Sequence, residues 1–407
     1  MPRSRIIFLA ILGISIVIVA IIALNNQPVS PEVQAQRNLT ATAVARNVLL
    51  ANTTTIIVNY GTEKEIWLKE AAARFEAQHP NIKVELVGQG SMDAYRELST
   101  IRDDSNTYMR GKPIPTLWTP GGRLQVALLN TDYGRDLAVD CKDLVLSPLA
   151  FIIWEDRAKV LEAYYKDRGG ITFDNLEDAL SAEKGGRWSE LGGDPNWGLL
   201  KIGYTDPNKS NGGFMFLMAL THEYLDRTSA ATVAELINPD YAEYVRRVAL
   251  AVSQASGASS GTLMRKFINE GPASYDMVIL HEALAIEFAQ IAVSRQGQGL
   301  RVYYPKYNIY SDHPLCLIDH PGVTPQQREA AKLFQDFLLS REIQELSCVS
   351  GYRPADPLVP IFAEGSPFND PKIRAMGVGP NIGQTLVQPD GNTLKQILTI
   401  WNRTVIN

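Results

Sequence analysis

The chain has few of the residues on which most metal sites and nucleophilic sites depend. Its 407 residues include only three cysteines and five histidines. The cysteines, Cys141, Cys316 and Cys348, are too far apart to form a metal-ligand pair of the usual spacing. The sequence also contains no P-loop and no G-x-G-x-x-G after a strand-like run. We therefore predict no metal site, no bound cofactor and no enzymatic activity.

An excess of charge of one sign is also missing. The formal net charge is -5 and the sequence pI is about 5.7, and no long run of like charges or internal repeat occurs. This weakly acidic balance argues against a nucleic-acid partner, which requires a basic surface. The hydrophobic content of 45% and charged content of 20% are ordinary for a globular protein, and the length is sufficient for two domains.

Long hydrophobic runs are absent except at the N-terminus. Residues 6–24 are apolar and uncharged, and they follow Arg3 and Arg5. This length fits a membrane-spanning helix of about 17–25 residues better than a secretory signal core of about 7–15 residues. The two arginines would remain inside, so that the rest of the chain is exported. We predict an N-terminal membrane anchor or signal segment in residues 1–24, with cleavage near residues 33–35 as the alternative.

Residues 25–52 are predicted to be a linker between this segment and the folded part. They are rich in Asn, Gln, Ala and Thr and contain two prolines. In an exported chain, the three cysteines predict one disulfide and one buried thiol. The sequence leaves open which two cysteines form the disulfide.

From residue 53 onward, strand-like and helix-like segments alternate. The first strands, TTIIVNY, NIKVELVG and PTLWTP, are each followed by a segment with apolar residues at helical spacing. This βαβαβα order is typical of a parallel sheet that is covered by helices. Further strands are predicted at residues 144–154, 198–204, 275–280, 300–305 and 315–319. The predicted fold class is therefore α/β.

Small polar residues follow the predicted ends of several strands. In open α/β sheets, ligands bind outside the carboxyl ends of the strands, where helix N-termini offer free amide groups. Each of these residues on its own is also an ordinary cap or turn residue. For Glu282, a role as a cap carboxylate and a role as a hydrogen-bond acceptor for a ligand remain equally open. The candidates at strand ends are Thr62, Ser91, Thr119, Thr205, Ser210, Asn211 and Glu282.

Three motifs that suggest other chemistry fail on inspection. A calcium loop starting at Asp206 would need Gly at its sixth position and Glu at its twelfth, but these are Asn211 and Leu217. The pairs at residues 222–223 and 281–282 have the His-Glu start of a zinc motif but no second histidine four residues after the first. The GASSG string at 257–261 follows a helical pattern, whereas a serine nucleophile elbow requires a strand.

Several longer stretches resemble the type II periplasmic solute-binding proteins of ATP-driven importers. More narrowly, they resemble the extracellular solute-binding branch that is often found with von Willebrand factor A-type proteins. The resemblance runs from about residue 54 to the C-terminus, and Gly212 departs from the serine expected there. The stretches include PTLWTPGGRLQVALLN, SPLAFIIWEDRAKVL, GYTDPNKSNGGFMFLMAL, YDMVILHEALAIEFA and GYRPAD.

This resemblance implies two α/β lobes that close around a solute. The chain would cross between the lobes near residues 146–150 and again near 304–314. Lobe one would then comprise 53–147 and 310–407, and lobe two 148–309. Thr62, Ser91 and Thr119 would form the lobe-one wall, and Thr205, Ser210 and Asn211 the lobe-two wall. Ser147 would lie at the hinge.

The resemblance also implies a function in transport. We expect an exported, membrane-tethered protein on the extracellular face of the membrane or in the periplasm. It would capture a small polar or anionic solute and deliver it to an ABC permease. A membrane-anchored sensor or scaffold that uses the same fold to bind a partner protein is the alternative. The sequence does not distinguish an oxyanion from a sugar, an amino acid or a metal ion as the solute.

Overall fold

A computed structural model describes residues 53–105, 107–108, 111–181, 183–251, 259–362 and 364–406. The predicted apolar segment 6–24 and the linker 25–52 lie outside the described residues. Among the helices that are described, none is both long and apolar enough to cross a membrane.

The described residues alternate strands and helices along most of the chain. The strands are β1 (Thr54–Gly61), β2 (Ile82–Gln89), β3 (Thr107–Tyr108), β4 (Lys112–Pro113), β5 (Leu117–Thr119), β6 (Ala138–Asp143), β7 (Val145–Trp154), β8 (Ile202–Gly203), β9 (Met277–His281), β10 (Leu300–Tyr303), β11 (Tyr307–Asn308), β12 (Tyr310–Ser311), β13 (Pro314–Ile318), β14 (Arg353–Pro354) and β15 (Gln384–Thr385).

The α-helices include long elements that cover the sheets and short ones near the C-terminus. They are α1 (Glu65–Gln78), α2 (Ser91–Leu98), α3 (Arg123–Tyr133), α4 (Glu155–Tyr164), α5 (Phe173–Leu180), α6 (Asn211–Leu225), α7 (Val233–Leu236), α8 (Pro239–Ala251), α9 (Ser260–Glu270), α10 (Glu282–Gln296), α11 (Pro325–Leu338), α12 (Arg341–Val349), α13 (Pro371–Ala375) and α14 (Gly391–Trp401).

The first sheet has the strand order β2-β1-β5-β13-β6. Strand β1 pairs in parallel with β2 and with β5, as the βαβαβ pattern predicts. Strand β13 is antiparallel to both of its neighbours, β5 and β6, so the sheet as a whole is mixed. The carboxyl ends of β1, β2 and β5 lie at the same edge of this sheet and hold the predicted lobe-one residues.

The second sheet has the order β10-β7-β9-β8. Strand β7 is antiparallel to β9 and β10, and β8 is parallel to β9. From Ser147 to Trp154, every residue of β7 is buried. A near-continuous apolar run is what a strand needs when both of its faces are covered. The predicted strand at 198–204 is reduced to Ile202–Gly203.

Strand β7 also pairs outside the second sheet. Its first residues pair with β14, through Leu146 and Arg353, and with β12, through Ser147 and Ser311. From Leu149 onward it pairs with β9 and then with β10. The predicted lobe boundaries at 147–148 and 309–310 remain a prediction.

Helix α6 is buried along most of its length. Every residue from Asn211 to His222 is buried, and the sequence there is apolar on all sides of the helix. A helix of this kind must lie in the core, because it has no polar face to turn toward water. Its position in the core fixes the place of its N-terminus.

The disulfide joins Cys141 on β6 to Cys316 on β13, and Cys348 is a buried free thiol. The prediction of one disulfide and one buried thiol is confirmed. The pairing follows from the fold, because β6 and β13 are adjacent antiparallel strands of the first sheet. The two cysteines are 175 positions apart, and the strands of the second sheet lie between them in the sequence.

Removing this disulfide should destabilise the protein. Because the crosslink closes a long loop in the unfolded chain, Cys141→Ala combined with Cys316→Ala should lower the free energy of unfolding by about 2–5 kcal/mol. Chemical denaturation measures the change. Cys348→Ala is the control, and it should cost only about 1 kcal/mol because it removes one buried sulfur. Equal losses in the two variants would contradict the prediction.

Candidate functional site

The starts of α6 and α9 contact loops of the first sheet directly. The Thr62 hydroxyl donates to the Ser259 hydroxyl across 2.6 Å. The Met92 amide donates to the Lys209 carbonyl oxygen at 3.3 Å. Residues that follow β1 and β2 therefore touch residues that precede α6 and α9. This region is the candidate site.

The turn before α6 is built by its own polar residues. The Asp206 carboxylate accepts from the Asn208 amide at 2.8 Å, and the Asp206 carbonyl accepts from the Ser210 amide at 3.0 Å. A Cβ at Gly213 would lie 2.0 Å from the Thr205 carbonyl oxygen, so only glycine fits there. These contacts hold the start of α6 against the strand-like segment that precedes it.

Ser210 is the N-cap residue of α6, but its side chain does not cap the helix. The Ser210 hydroxyl makes no cap hydrogen bond, and it lies 3.0 Å from the Ser260 hydroxyl at the start of α9. Serine at an N-cap usually accepts from an amide of its own helix. The side chain of Ser210 thus points toward a neighbouring helix start.

Ser260 is a site residue that sequence reasoning missed. A Cβ at Gly212 would lie 2.5 Å from the Ser260 hydroxyl oxygen and 3.3 Å from the Thr205 hydroxyl oxygen. Because Gly212 has no side chain, the Ser260 hydroxyl can occupy the space next to it. In the sequence, the GASSG string marks this position. Its serines stand at the start of α9, and the Ser259 side chain caps that helix.

Asn211 connects α6 to α3 and β12. Its side-chain oxygen accepts from Gln125 Nε2 and its side-chain nitrogen donates to the Ser311 hydroxyl, both at 2.9 Å. A Cβ at Gly121 would lie 2.4 Å from Cβ of Asn211, so glycine permits this approach. Gln125 and Ser311 were not predicted, because their contact with Asn211 depends on the tertiary fold.

Two buried hydroxyls, on Thr119 and Thr205, have no partner. Both threonines are 0% exposed, and neither Oγ1 atom has a hydrogen-bond partner among the described residues. An unsatisfied buried polar group costs about 1–3 kcal/mol. Ser91, by contrast, accepts from the Gly121 amide at 2.9 Å. Thr119 and Thr205 therefore stand out as free hydrogen-bonding groups, one at the end of β5 and one before α6.

Ser147 and Glu282 have other partners. The Ser147 hydroxyl accepts from the Ala283 amide at 3.0 Å and so caps the start of α10 from β7. The Glu282 carboxylate accepts from the Arg353 guanidinium at 2.9–3.0 Å, with both side chains buried. Burial raises the pKa of Glu282, and the Arg353 charge opposes that rise. In this structure neither side chain joins the group formed by Thr205, Ser210 and Ser260.

A buried charged cluster follows β1. The Lys64 ammonium lies 2.9 Å from Glu63 Oε1, 3.0 Å from His313 Nδ1 and 3.1 Å from the Pro120 carbonyl oxygen. The Tyr352 hydroxyl donates to the Glu63 carbonyl oxygen at 2.7 Å. The charges of Glu63 and Lys64 offset each other, so the cluster is close to neutral.

Two buried histidines lie next to this cluster. The ring centroids of His281 and His313 are 5.8 Å apart, and both side chains are 0% exposed. Burial lowers the pKa of His281 to about 4 and that of His313 to about 3, so both rings are neutral at pH 7. Sequence reasoning considered His281 only as part of a zinc motif. No cluster of potential metal ligands occurs in the described part of the chain.

The fold and the sequence both match known solute-binding proteins. A family model described as "Bacterial extracellular solute-binding protein" matches residues 56–353, more than half of the chain. No relative is found among curated proteins.

Similar solved structures have the same two-lobe fold. They include the sulfate-binding protein SubI from Mycobacterium tuberculosis H37Rv, with 18% identity, a TM-score of 0.54 and coverage of 87% of this chain and 100% of that one. The periplasmic binding protein AfuA from Actinobacillus pleuropneumoniae has 17% identity, a TM-score of 0.55 and coverage of 87% and 99%. A periplasmic thiamin binding protein has 11% identity, a TM-score of 0.57 and coverage of 87% and 96%.

These matches confirm the predicted α/β fold with two lobes. The family consists of binding proteins, which agrees with the absence of a catalytic motif in the sequence. The chain belongs to the bacterial extracellular solute-binding proteins, and its fold is that of the type II periplasmic binding proteins.

Proposed function

We propose that this protein captures a small polar or anionic solute between its two sheets and delivers it to an ABC permease. The observation that carries the proposal is the pair of buried hydroxyls on Thr119 and Thr205, which lack partners among the described residues. Thr119 is the last residue of β5 in the first sheet, and Thr205 follows β8 of the second. A solute held between the sheets would satisfy both groups.

The electrostatics of the region favour a polar or anionic solute. Helices α2, α3, α6 and α9 all begin there, and the first amides of a helix carry a partial positive charge. Two buried acids of the region are paired with cations, Glu63 with Lys64 and Glu282 with Arg353. The hydroxyls of Ser210 and Ser260 add donors that can rotate toward a bound oxygen.

The similar structures do not narrow the class of solute. These proteins bind sulfate, fructose-6-phosphate and thiamin, which differ in charge and size. A screen with oxyanions, sugars, amino acids and metal ions is therefore the first experiment. Binding at 100 times the dissociation constant should stabilise the folded protein by about 2.7 kcal/mol, which a thermal shift detects. A screen in which no compound raises the melting temperature would count against the proposed function.

Closure of the lobes would accompany binding. In the proposed division, lobe one comprises 53–147 and 310–407, and lobe two comprises 148–309. The pairing of β7 with β12 and β14 at one end and with β9 and β10 at the other supports crossings near 146–150 and 304–314. Rotation about such paired crossings is a common hinge motion.

Ser210→Ala should weaken solute binding with little loss of stability. Its hydroxyl caps no amide of α6, so its removal leaves the helix start intact. If the hydroxyl contacts the solute, losing one buried hydrogen bond should cost about 1–3 kcal/mol, or roughly a 5- to 150-fold rise in the dissociation constant. Calorimetric titration with a compound from the screen measures this change.

Thr324→Ala is the matched control for this variant. Thr324 caps α11, and its hydroxyl accepts from the Gln327 amide at 3.2 Å. This variant should lower the free energy of unfolding by about 0.5–2 kcal/mol and leave the dissociation constant unchanged. If Ser210→Ala behaves like the control, Ser210 has a structural role and the solute binds elsewhere.

We also propose that residues 6–24 anchor the exported part to the membrane. The run is apolar, uncharged and preceded by Arg3 and Arg5, and it is longer than an ordinary signal core. The folded part would then stand away from the membrane on residues 25–52. This tether would keep the binding protein close to its permease.

Mass spectrometry of the protein from the membrane fraction tests the anchor. We expect peptides from residues 25–35 to remain joined to the folded part, because an uncleaved anchor keeps them. Alkaline carbonate extraction should leave the protein in the membrane. A mature N-terminus near Gln36 would show that the segment is a cleaved signal and would contradict the anchor.

A further inference from the structure

His281 is a buried histidine without a hydrogen-bond partner. It ends β9, where it pairs with Leu149 of β7, and the next residue begins α10. Its side chain is 0% exposed, and neither ring nitrogen has a partner among the described residues. A neutral imidazole has one donor and one acceptor, so both are left unsatisfied. Such a group at a strand end is a candidate for contact with a ligand.

His313 also has a ring nitrogen without a hydrogen-bond partner among the described residues, and the contact with Lys64 indicates that this nitrogen is a donor. The Lys64 ammonium can only donate, and it lies 3.0 Å from His313 Nδ1. Nδ1 also lies 3.3 Å from Glu63 Oε1, and we assign it as the acceptor in the shorter contact, with Lys64, so that the proton of the neutral ring is on Nε2. That Nε2–H donor has no partner within the described part of the chain. The two histidines together offer two donors and one acceptor.

The surroundings of the two rings are electrically balanced. Glu63 and Lys64 form a buried pair, and the three acceptors around the Lys64 ammonium match its three protons. Glu282, which follows His281, is paired with Arg353. Asp312, which precedes His313, forms an ion pair with the Arg123 guanidinium, with Nε and Oδ2 3.4 Å apart. The histidines therefore suit a neutral group better than a charged one, because these three neighbouring acids are each paired with a cation.

The turn that follows β1 links His313 to the proposed solute site. The Thr62 hydroxyl donates to the Ser259 hydroxyl beside α9, and the Lys64 ammonium, two residues later, lies 3.0 Å from His313 Nδ1. A solute of sufficient length would extend from the helix starts to His313 and to His281, whose ring centroid lies 5.8 Å from that of His313. This step rests on the proposed function.

We infer that His281 and His313 form a subsite that binds a hydroxyl group of the solute, while the helix starts near Ser210 bind its anionic group. A hydroxyl both donates and accepts, so it matches a pair of rings that offers two donors and one acceptor. The solute class is then a small hydroxylated anion, such as the phosphate monoester of a polyol. Such a subsite discriminates strongly between solutes with and without the hydroxyl group, since a ligand without it leaves buried nitrogens unpaired.

The test compares His281→Leu with the wild-type protein, using inorganic phosphate and glycerol 3-phosphate as probes. In the wild type, glycerol 3-phosphate should bind more tightly than phosphate. The variant should bind glycerol 3-phosphate roughly 5- to 150-fold more weakly, the effect of one lost buried hydrogen bond. Phosphate affinity should not change. The melting temperature of the solute-free variant should rise, because an unpartnered buried ring is replaced by an apolar side chain of similar size.

His222→Leu is the matched control. His222 is also buried, but its Nδ1 lies 2.9 Å from the Arg227 carbonyl oxygen and so has a structural partner. This variant should lower the melting temperature and leave the affinities for both probes unchanged. Comparison of the two variants shows whether an effect comes from the loss of any buried histidine or from the loss of a contact with the solute.

Each outcome of this test is decisive. A lower melting temperature for His281→Leu would mean that the ring has structural partners, which overturns the inference even if no probe binds. Equal affinity of the wild type for the two probes, or an unchanged preference in the variant, would also overturn it. Failure of the wild type to bind either probe would overturn the choice of hydroxylated anion, whereas binding of other compounds in the screen would leave the proposed function intact.

Discussion

The backbone pairing of β7 is the constraint on which the rest of the structure depends. Its first residues pair with β12 and β14, and its later residues pair with β9 and β10. A strand that is buried on both faces must satisfy its amides and carbonyls through such pairing. Because β7 pairs with all of these strands, it holds β12, at residues 310–311, next to the second sheet. The disulfide between Cys141 and Cys316 joins β6, which precedes β7 in the sequence, to β13, which follows β12.

Close approach of backbone and side chains brings the site together. Glycines at positions 121, 212 and 213 let Asn211, Ser260 and the Thr205 carbonyl come closer than a side chain would allow. The resulting region combines helix starts with paired acids and with hydroxyl groups and imidazole nitrogens that have no partner among the described residues. The buried charges of Glu63 and Glu282 are paired within the protein, and the neutral groups without partners are those that we propose contact the solute. This division of roles agrees with a protein that binds a solute and does not transform it.

Much of the fold could be predicted from particular segments. TTIIVNY, NIKVELVG and PTLWTP have strand patterns with helices between them, and they form the parallel core of the first sheet. The apolar run after Ser210 predicted a helix, and its lack of a polar face explains why α6 is buried. The antiparallel placement of β13 could not be predicted, because strand direction depends on a connection that spans the whole second sheet.

The sequence by itself determined the α/β class, the polar residues at strand ends and the presence of one disulfide with one buried thiol. Local periodicity and turn chemistry are enough for these, since they act over a few residues. Only the tertiary structure decided which cysteines pair and which site candidates are free. Ser147 and Glu282 find partners in Ala283 and Arg353, whereas Thr119 and Thr205 find none among the described residues. The physical reason is that a hydrogen bond depends on distance in space, and these partners are far apart in the sequence or on different elements.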